Sequence, residues 1–268
     1  MPRLARLDAE LIRRGLARSR EHAGQLIADG RVTVAGTVAR KAATAVGTDA
    51  AVHVQATDEP DWASRGAHKL LGALATFTPR GLAVAGRRCL DAGASAGGFT
   101  DVLLRHGAAQ VVAVDVGYGQ LAWRLRTDER VTVHDRTNVR TLTAQDIGGP
   151  VDLAVADLSF ISLRLVLPAL TACATNTADL LPMVKPQFEV GRRRLGAGGV
   201  VRDPRDRADA VLQVVHAAGE LGWGLRGVLA SPLPGPSGNV EYFAWLRSGA
   251  VGEDATEQVR RAVEEGPS

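Results

Sequence analysis

From residue 65 onward the chain alternates between strand-like and helix-like segments, and this rhythm restricts its fold more than any other feature. Seven apolar segments are strand candidates: residues 88–91, 111–115, 131–135, 151–157, 179–185, 225–230 and 241–246. Because helical stretches separate most of them, we predict an α/β fold with a doubly wound, mostly parallel sheet. Ligands bind such sheets at the carboxyl ends of the strands, so polar residues there are candidates for function.

The N-terminal segment has a different pattern, which predicts a small α+β module. An apolar face on residues 7–12 predicts one short helix, and Ser19 is a suitable N-cap for a second helix that ends at Gly30. Alternating valines at 32–34 and 52–54 predict short strands. We therefore divide the chain into three parts: the small α+β module at 1–59, a polar linker at 60–64 and the α/β domain at 65–268.

The composition excludes several classes of protein. Hydrophobic residues make up 46% and charged residues 23%, which is typical of a globular chain and not of a disordered or fibrous one. No apolar run approaches the roughly 18 residues of a membrane span, and the N-terminus has no signal-peptide core, so we expect a cytoplasmic protein. The two cysteines, Cys89 and Cys173, and the six scattered histidines have no metal-ligand spacing, so we expect buried thiols and no metal.

The distribution of charge indicates where an anionic partner would bind. Residues 1–41 hold nine basic and four acidic side chains, a net charge of +5, although the whole chain carries only +3. Such asymmetry favours a polyanionic partner for the N-terminal module, although a solvated arginine face has the same composition. Only three of the 32 basic residues are lysines, namely Lys41, Lys69 and Lys185, and lysine, unlike arginine, can lose its proton in a suitable site.

A small-residue turn at 91–100 follows one predicted strand and opens a helix, as in a cofactor site. The turn begins with Asp91, and its spacing differs from G-x-G-x-x-G, so it favours cationic S-adenosylmethionine over a dinucleotide. Asp115 ends the next strand and could bind ribose hydroxyls of either cofactor. A tight turn without any ligand is the alternative. The candidate cofactor-binding residues are Asp91, Gly93, Ala94, Ser95, Gly97, Gly98, Phe99, Thr100, Asp115, Val116, Asn138 and Asp157.

Four charged residues lie where a doubly wound sheet could bring them together. Lys69 begins a helix before the first strand, Asp157 and Lys185 end strands, and Glu241 begins the last one. Methylation of a ribose hydroxyl needs a base, and a lysine with the ordinary pKa of about 10.4 is a poor one near neutral pH. A second cationic group nearby lowers such a pKa. We therefore predict Lys185 as the base, oriented by the other three; the alternative is that Asp157 caps a helix and both lysines are surface charges.

These motifs resemble two known families. The segments 64–70, 91–100, 115–121, 156–162, 184–189 and 231–243 resemble the TlyA (hemolysin A) family of ribosomal RNA methyltransferases, which is related to the FtsJ-like enzymes. Residues 6–36 resemble an S4 RNA-binding domain. The resemblance implies a Rossmann-like class I S-adenosylmethionine-dependent methyltransferase domain behind a small S4 domain.

The resemblance also implies the reaction and the partner. Members transfer a methyl group to the 2′-oxygen of cytidine in 16S and 23S ribosomal RNA, and this methylation confers sensitivity to capreomycin-type antibiotics. The family's Lys-Asp-Lys-Glu tetrad corresponds to Lys69, Asp157, Lys185 and Glu241. We expect ribosomal RNA as partner, without a membrane or an obligate protein partner. The candidate RNA-binding residues are Arg3, Arg6, Arg18, Arg20, Arg65 and Arg136.

Three other functions remain as alternatives. A membrane-active hemolysin, as the family's older name suggests, would need an apolar span or a strongly amphipathic basic helix. A non-catalytic RNA-binding protein would not need all four tetrad positions. A nucleotide-dependent oxidoreductase would leave the Lys-Asp-Lys-Glu set without a use. The run Arg192–Arg194 either contacts phosphate or belongs to a solvated loop.

Overall fold

The computed structural model describes residues 4–17, 19–55, 61–235, 237–249 and 254–267. The chain forms two compact units, Met1–Asp61 and Trp62–Ser268. Trp62 and Ala63, which fall in the predicted linker, pack against the core of the second unit.

The first unit packs two short helices against small antiparallel sheets. Its elements are β1 (Leu4–Arg6), α1 (Leu7–Arg13), α2 (Arg20–Ala28), β2 (Val32–Val34), β3 (Thr37–Val38), β4 (Ala45–Gly47) and β5 (Val52–Val54). As predicted, the Ser19 side chain caps α2, because it accepts a hydrogen bond from His22 N. Strand β2 pairs with β3 and β5, and β1 pairs with β4. Leu7, Leu11 and Ile27 are among the buried residues that form its core.

The second unit alternates strands and helices. Its elements are α3 (Gly66–Phe77), β6 (Arg88–Ala92), α4 (Gly98–Arg105), β7 (Gln110–Val114), α5 (Trp123–Arg126), β8 (Val131–His134), β9 (Val151–Ala156), α6 (Leu167–Ala172), β10 (Ala174–Val184), α7 (Pro186–Glu189), α8 (Pro204–Glu220), β11 (Trp223–Ala230), β12 (Tyr242–Ser248) and α9 (Ala255–Glu264).

One seven-stranded sheet organises this unit, in the order β11-β12-β10-β9-β6-β7-β8. The neighbours from β10 through β9, β6 and β7 to β8 are parallel, and β12 runs antiparallel between β10 and β11. The predicted α/β class with a seven-stranded sheet and a small N-terminal α+β module is therefore confirmed. The order reverses between β6 and β9, and such a switch point opens a crevice at the carboxyl ends of the strands.

Two apolar layers cover the faces of the sheet. Strand residues alternate between the layers, because successive side chains point to opposite faces: Leu90 packs in one and Cys89 in the other. Both cysteines are buried, as expected, and burial raises the pKa of Cys89 to about 12 and that of Cys173 to about 11.

The observed element ends differ from the predicted ones in a consistent way. Asp115, Asp157 and Lys185 each follow the last residue of their strand, and Glu241 precedes the first residue of β12. Their side chains are thus at the edge of the sheet, outside the ladder. Helix α9, which was not predicted, is capped by Asp254 and packs on β11 and α8.

Candidate active site

Four charged side chains meet at the carboxyl edge of the sheet, at the ends of strands that are far apart in sequence. Lys69 is in the first turns of α3, Asp157 follows β9, Lys185 follows β10, and Glu241 precedes β12. Strand β10 lies between β9 and β12, so its end brings Lys185 between the two acids. Pro186, the first residue of α7, turns the chain away directly after Lys185.

The four groups form a chain of alternating charge. Lys69 Nζ donates to Glu241 Oε2 at 2.6 Å and lies 3.9 Å from Asp157 Oδ2. Lys185 Nζ lies 2.6 Å from Asp157 Oδ1 and 4.0 Å from Glu241 Oε1. The side chains of Lys185 and Glu241 are 8% and 1% exposed, whereas that of Asp157 is 22% exposed. The cluster is therefore partly dehydrated but open on the side of Asp157, where a polar substrate could enter.

A hydroxyl group that the sequence did not single out completes the surroundings of one lysine. Lys185 Nζ donates to Ser159 Oγ at 3.0 Å. Ser159 follows Asp157 by two residues and is exposed. The only sign of Ser159 in the sequence was its position just after Asp157 at the end of a predicted strand, and its neighbours share that position.

The loop after Asp157 is anchored at both ends. Asp157 N donates to Ala92 O at 3.0 Å. At the other end, the buried Glu189 of α7 accepts hydrogen bonds from Leu163 N at 2.7 Å and Ser162 Oγ at 2.6 Å. Glu189 thereby joins the loop that follows Asp157 to the helix that follows Lys185.

Phe160, in the same loop, is the most exposed large apolar residue described. Its side chain is 92% exposed, its φ is +64°, and its ring centroid lies 5.4 Å from that of Phe188. A positive φ is uncommon for a bulky residue, and strained backbone of this kind concentrates at binding sites. An exposed ring beside a polar cluster offers a surface for stacking a planar group.

Strand β6 carries, next to its last residue, a buried carboxyl group that is only half satisfied. Asp91 is fully buried; its Oδ2 accepts from Thr100 Oγ1 at 2.7 Å, and its Oδ1 has no hydrogen-bond partner among the described residues. Burial, above all, raises the pKa of Asp91 to about 7; the charges of Asp157 and Asp115 act in the same direction, and the bond from Thr100 opposes them. Three neighbouring acids suit a cationic ligand and would repel a pyrophosphate.

Asp115 contributes to the same edge through the loop after β7. Its Oδ2 accepts from Ser95 N at 2.8 Å and its Oδ1 from Gly117 N at 2.7 Å. Each carboxylate oxygen can accept a further bond, so hydroxyl groups of a ligand could still bind there. Val116 is 71% exposed beside it. Asn138 lies beyond β8, and its side chain accepts from Arg140 N.

The other small residues of the turn serve close packing. A Cβ at Gly93 would lie 2.6 Å from Asp157 O, and one at Gly97, where φ is +97°, would lie 2.3 Å from Leu125 Cδ1. A Cβ at Gly98 would likewise be too close to Ser64 and to Ala67. Phe99 and Ala94 are buried in the core. These residues shape the turn, whereas Asp91, Ser95 and Asp115 have the polar groups that could hold a cofactor.

The candidate RNA-binding arginines have different surroundings. Arg6 pairs with Asp8 through two bonds of 3.0 and 2.9 Å, and Arg20 is exposed at the start of α2. Arg65 is exposed before α3. Arg136, with φ at +54°, stacks 4.4 Å above the ring of Tyr118, which is itself 67% exposed. Arg3 and Arg18 lie outside the described residues.

Arginines elsewhere on the chain have structural contacts. Arg14 donates to the backbone oxygens of Ala50, Gly47 and Thr48. Arg194, in the arginine run, pairs with Asp206 and Asp209 of α8. These two guanidinium groups therefore hold loops in place within their own units.

Among the described residues, no cluster of three or more His, Cys, Asp or Glu side chains could hold a metal ion. No helix within them is long and apolar enough to cross a membrane.

Comparison with known proteins gives matches over both units. Residues 62–248 match the model of the FtsJ-like methyltransferases, and residues 5–52 match the S4 domain. The chain is 62% identical to the 16S/23S rRNA (cytidine-2′-O)-methyltransferase TlyA of Mycobacterium tuberculosis, with 100% of both chains covered. It is 40% identical to a candidate rRNA methyltransferase of Bacillus subtilis, YqxC, over 97% of this chain and 93% of that one. A solved structure of a candidate hemolysin from Streptococcus thermophilus superposes with a TM-score of 0.77 at 34% identity, over 99% and 96% of the two chains.

Proposed function

Since the chain belongs to the TlyA family of FtsJ-like methyltransferases with an S4 domain, we propose that it methylates the 2′-oxygen of cytidine in 16S and 23S ribosomal RNA. The observation that carries the proposal is the meeting of Lys69, Asp157, Lys185 and Glu241 at the sheet edge, beside the turn that begins at Asp91. The TlyA relative of Mycobacterium tuberculosis has the same activity in its name. The protein acts in the cytoplasm, where ribosomal subunits are assembled.

The methyl donor in this proposal is S-adenosylmethionine, which supplies an electrophilic methyl group on a cationic sulfur. Asp91 and Asp157 would supply the negative charge that holds this cationic donor, and Asp91 Oδ1 is an acceptor without a partner among the described residues. Asp115 would accept from its ribose hydroxyls, with Ser95, Val116 and Asn138 as neighbouring candidates. The buried acids favour this donor over a dinucleotide, whose pyrophosphate they would repel.

Lys185 is the group that removes the proton of the ribose hydroxyl. Its nitrogen accepts that proton, and the oxygen keeps the bonding electron pair. The oxygen would then receive the methyl group, while the sulfur of the donor keeps the electron pair of the broken C–S bond and becomes a neutral thioether. Asp157 contacts the same nitrogen at 2.6 Å and holds it in place. Lys69 is fixed by Glu241, so its positive charge faces the cluster without being free to move away. General-base catalysis of this kind contributes about 10²–10⁴-fold to a rate.

The target nucleotide leaves its stack to reach the site, as in other enzymes that modify nucleotides within folded nucleic acid. Phe160 presents its exposed ring next to Ser159 and supplies a stacking surface for the extruded base. Phe188 packs against it and supports the ring from the protein side.

The affinity for ribosomal RNA comes mainly from arginine contacts to phosphates. In the S4 unit, Arg20 is exposed, and Arg6 is held by Asp8 in a fixed direction. In the methyltransferase unit, Arg65 is exposed just before α3, and Arg136 stacks on the exposed ring of Tyr118. Arg3 and Arg18 belong to the same proposal.

The test is transfer of labelled methyl groups to separate 30S and 50S subunits that lack the modification. The label is then mapped by resistance of the RNA to alkaline cleavage, with Lys185→Ala and already methylated subunits as controls. We expect label at a cleavage-resistant ribose, absent with Lys185→Ala although that variant binds S-adenosylmethionine normally by calorimetry. Label on a base, or full activity of Lys185→Ala, would overturn the proposed mechanism.

The same methylation would sensitise ribosomes to capreomycin-type antibiotics. We expect ribosomes treated with this protein and the methyl donor to stop cell-free translation at a lower capreomycin concentration than untreated ribosomes. Equal inhibition of the two preparations, despite complete methylation, would contradict this part of the proposal.

A further inference from the structure

The tetrad leaves open what holds the nitrogen of Lys185 in a fixed rotation. A lysine side chain has four rotatable bonds, and its terminal nitrogen turns freely unless several partners hold it. Asp157 Oδ1, 2.6 Å away, forms an ion pair with this nitrogen, and Glu241 Oε1, at 4.0 Å, is beyond hydrogen-bond distance. Ser159 Oγ, at 3.0 Å, is a second partner that no tetrad residue provides.

The geometry of an amine makes this second partner useful. A neutral lysine nitrogen has two N–H bonds and one lone pair, arranged tetrahedrally around the bond to Cε. When one N–H bond donates to Ser159, the directions left for the second N–H bond and for the lone pair are restricted. A base works only when its lone pair faces the proton to be removed, at about 2.6–3.2 Å between heavy atoms.

The structure keeps Ser159 in place independently of the lysine. Its loop is fixed by the bond from Asp157 N to Ala92 O at one end and by the buried Glu189 at the other. The hydroxyl therefore meets Lys185 as part of a prepared surface, and an exposed loop that was free to move would gain little from a single hydrogen bond.

Building on the proposed ribose methylation, we propose that Ser159 is a positioning residue for the base. The hydrogen bond to Ser159 and the ion pair with Asp157 fix the orientation of Lys185 Nζ and leave its lone pair facing the 2′-hydroxyl of the substrate. When Lys185 gains the proton, the new N–H bond lies in the direction of that lone pair, and the bond to Ser159 and the pair with Asp157 persist. Ser159 takes no part in binding the methyl donor or the RNA backbone.

The first measurement compares Ser159→Ala with Ser159→Thr under saturating RNA and methyl donor. Removing a hydrogen bond to a charged group reduces rates by roughly 10- to 100-fold, so we expect kcat of Ser159→Ala to fall by that factor with KM for the subunits unchanged. Threonine keeps the hydroxyl, so Ser159→Thr should retain most of kcat. An alanine variant as active as wild type, or a threonine variant as impaired as alanine, would overturn the inference.

A second variant separates positioning from loosening of the loop. Ser162→Ala removes a hydroxyl from the same loop, one that bonds to Glu189 and lies outside the contacts of Lys185. We expect it to lower the unfolding temperature at least as much as Ser159→Ala and to lower kcat less. If both variants lose kcat in proportion to their unfolding temperatures, Ser159 is merely structural.

A spectroscopic readout tests the contact without turnover. Because the chain has only three lysines, protein labelled with 15N-lysine has three Nζ signals, assigned by single Lys→Arg variants. In Ser159→Ala we expect the Lys185 signal to shift and exchange protons with water faster, with those of Lys69 and Lys41 unchanged. An unaltered Lys185 signal would contradict the proposal. Failure of the ribose methylation itself would instead appear as an inactive wild-type protein with this NMR difference intact.

Discussion

The paired stretch of strands β10 and β12 carries a charged cluster at each end, and the two clusters are built differently. The strands run antiparallel, with Asp179 opposite Arg247 at one end and Val184 opposite Tyr242 at the other. One cluster surrounds Asp179, and the second is the tetrad around Lys185 and Glu241. At about 3.3 Å per residue, roughly 20 Å separates them.

The Asp179 cluster is closed. Its carboxylate is fully buried and accepts from Arg87 at 2.7 Å, from Trp245 Nε1 at 2.7 Å, and from Arg247 at 2.8 and 3.1 Å. Both oxygens thus have at least two donors each. Arginine suits this use, because its rigid fork satisfies a carboxylate in a fixed geometry and never loses its proton.

The tetrad is open by comparison. It uses lysines, two of its pairs lie at 3.9 and 4.0 Å, and Asp157 remains partly exposed. A structural cluster is most stable when every charged atom has all its hydrogen-bond partners. A reactive cluster must keep one position free for the substrate and must contain a group that can gain and lose a proton. In the proposed mechanism, lysine therefore serves the reactive cluster and arginine the structural one on the same pair of strands.

The largest expected effect comes from exchanging lysine for arginine in the tetrad and arginine for lysine in the Asp179 cluster. Lys185→Arg keeps the positive charge but removes the titratable amine, so we expect kcat to fall by about 10²–10⁴-fold. Methyl transfer at saturating substrates measures this, and calorimetry checks that donor binding persists. Arg247→Lys, the matched exchange at the closed end, should leave kcat per folded molecule unchanged; a loss there as large as that of Lys185→Arg would remove the distinction.

Removing the acid of the closed cluster should affect stability instead of rate. Asp179→Ala leaves Arg87, Arg247 and the Trp245 ring nitrogen without their acceptor. We expect unfolding free energy to fall by about 2–4 kcal/mol, below the range for a fully buried pair because both arginines reach solvent. Urea unfolding measures the loss, and kcat at low temperature should match wild type. A stable variant with reduced kcat would show that the two ends are coupled.

The open end should be sensitive to a single added methyl group. A Cβ at Gly235 would lie 2.6 Å from Glu241 Oε1, so Gly235→Ala must displace the carboxylate that holds Lys69. We expect kcat to fall about 10-fold, as for a small misplacement of catalytic groups. Gly219→Ala, in α8 with nothing within 4 Å, is the control and should keep full activity with slightly higher stability. Equal activity of both variants would argue against a role for the Glu241 position.

The smallest expected effect concerns pH and a second buried acid at the open edge. Asp91 has one oxygen without a partner among the described residues and a pKa raised to about 7 by burial, unlike the fully bonded Asp179. Binding of a cation should therefore strengthen several-fold as pH rises from 6 to 8 and Asp91 loses its proton. Calorimetry of S-adenosylmethionine binding measures this; Asp91→Asn should bind more weakly and without the pH dependence, and a pH-dependent Asp91→Asn would assign the effect to another group.

The same raised pKa has a consequence for stability. In the unfolded chain the carboxyl group ionises near its ordinary pKa of about 3.9. Between that value and 7 the folded protein holds a proton that the unfolded chain has lost, so this group's contribution falls as pH rises across that window. Asp91→Asn should flatten the decline in unfolding free energy between pH 4 and 7.

Much of the architecture follows from local pattern alone. The apolar segments 88–91, 111–115 and 151–157 predicted parallel strands, which the structure has at 88–92, 110–114 and 151–156, because buried strands have continuous apolar runs and helices between them. Helix α9 was not predicted, since its buried residues, Val259, Ala262 and Val263, are few and most of its other positions are polar or charged. Its stability comes from packing on β11 and α8, which no local pattern reveals.

The sequence by itself determined which residue types stand at the strand ends, including the two lysines in a chain that otherwise uses arginine. Only the tertiary structure decided which of those residues meet. Asp179 lies in β10 and Lys185 directly follows that strand, and no local signal separates a closed cluster from an open one. The partners of each are set by β12, which inserts antiparallel beside β10 and brings Arg247 to one end and Glu241 to the other. Contacts between segments distant in sequence depend on how the sheet is ordered, and that order results from burying all the apolar faces at once.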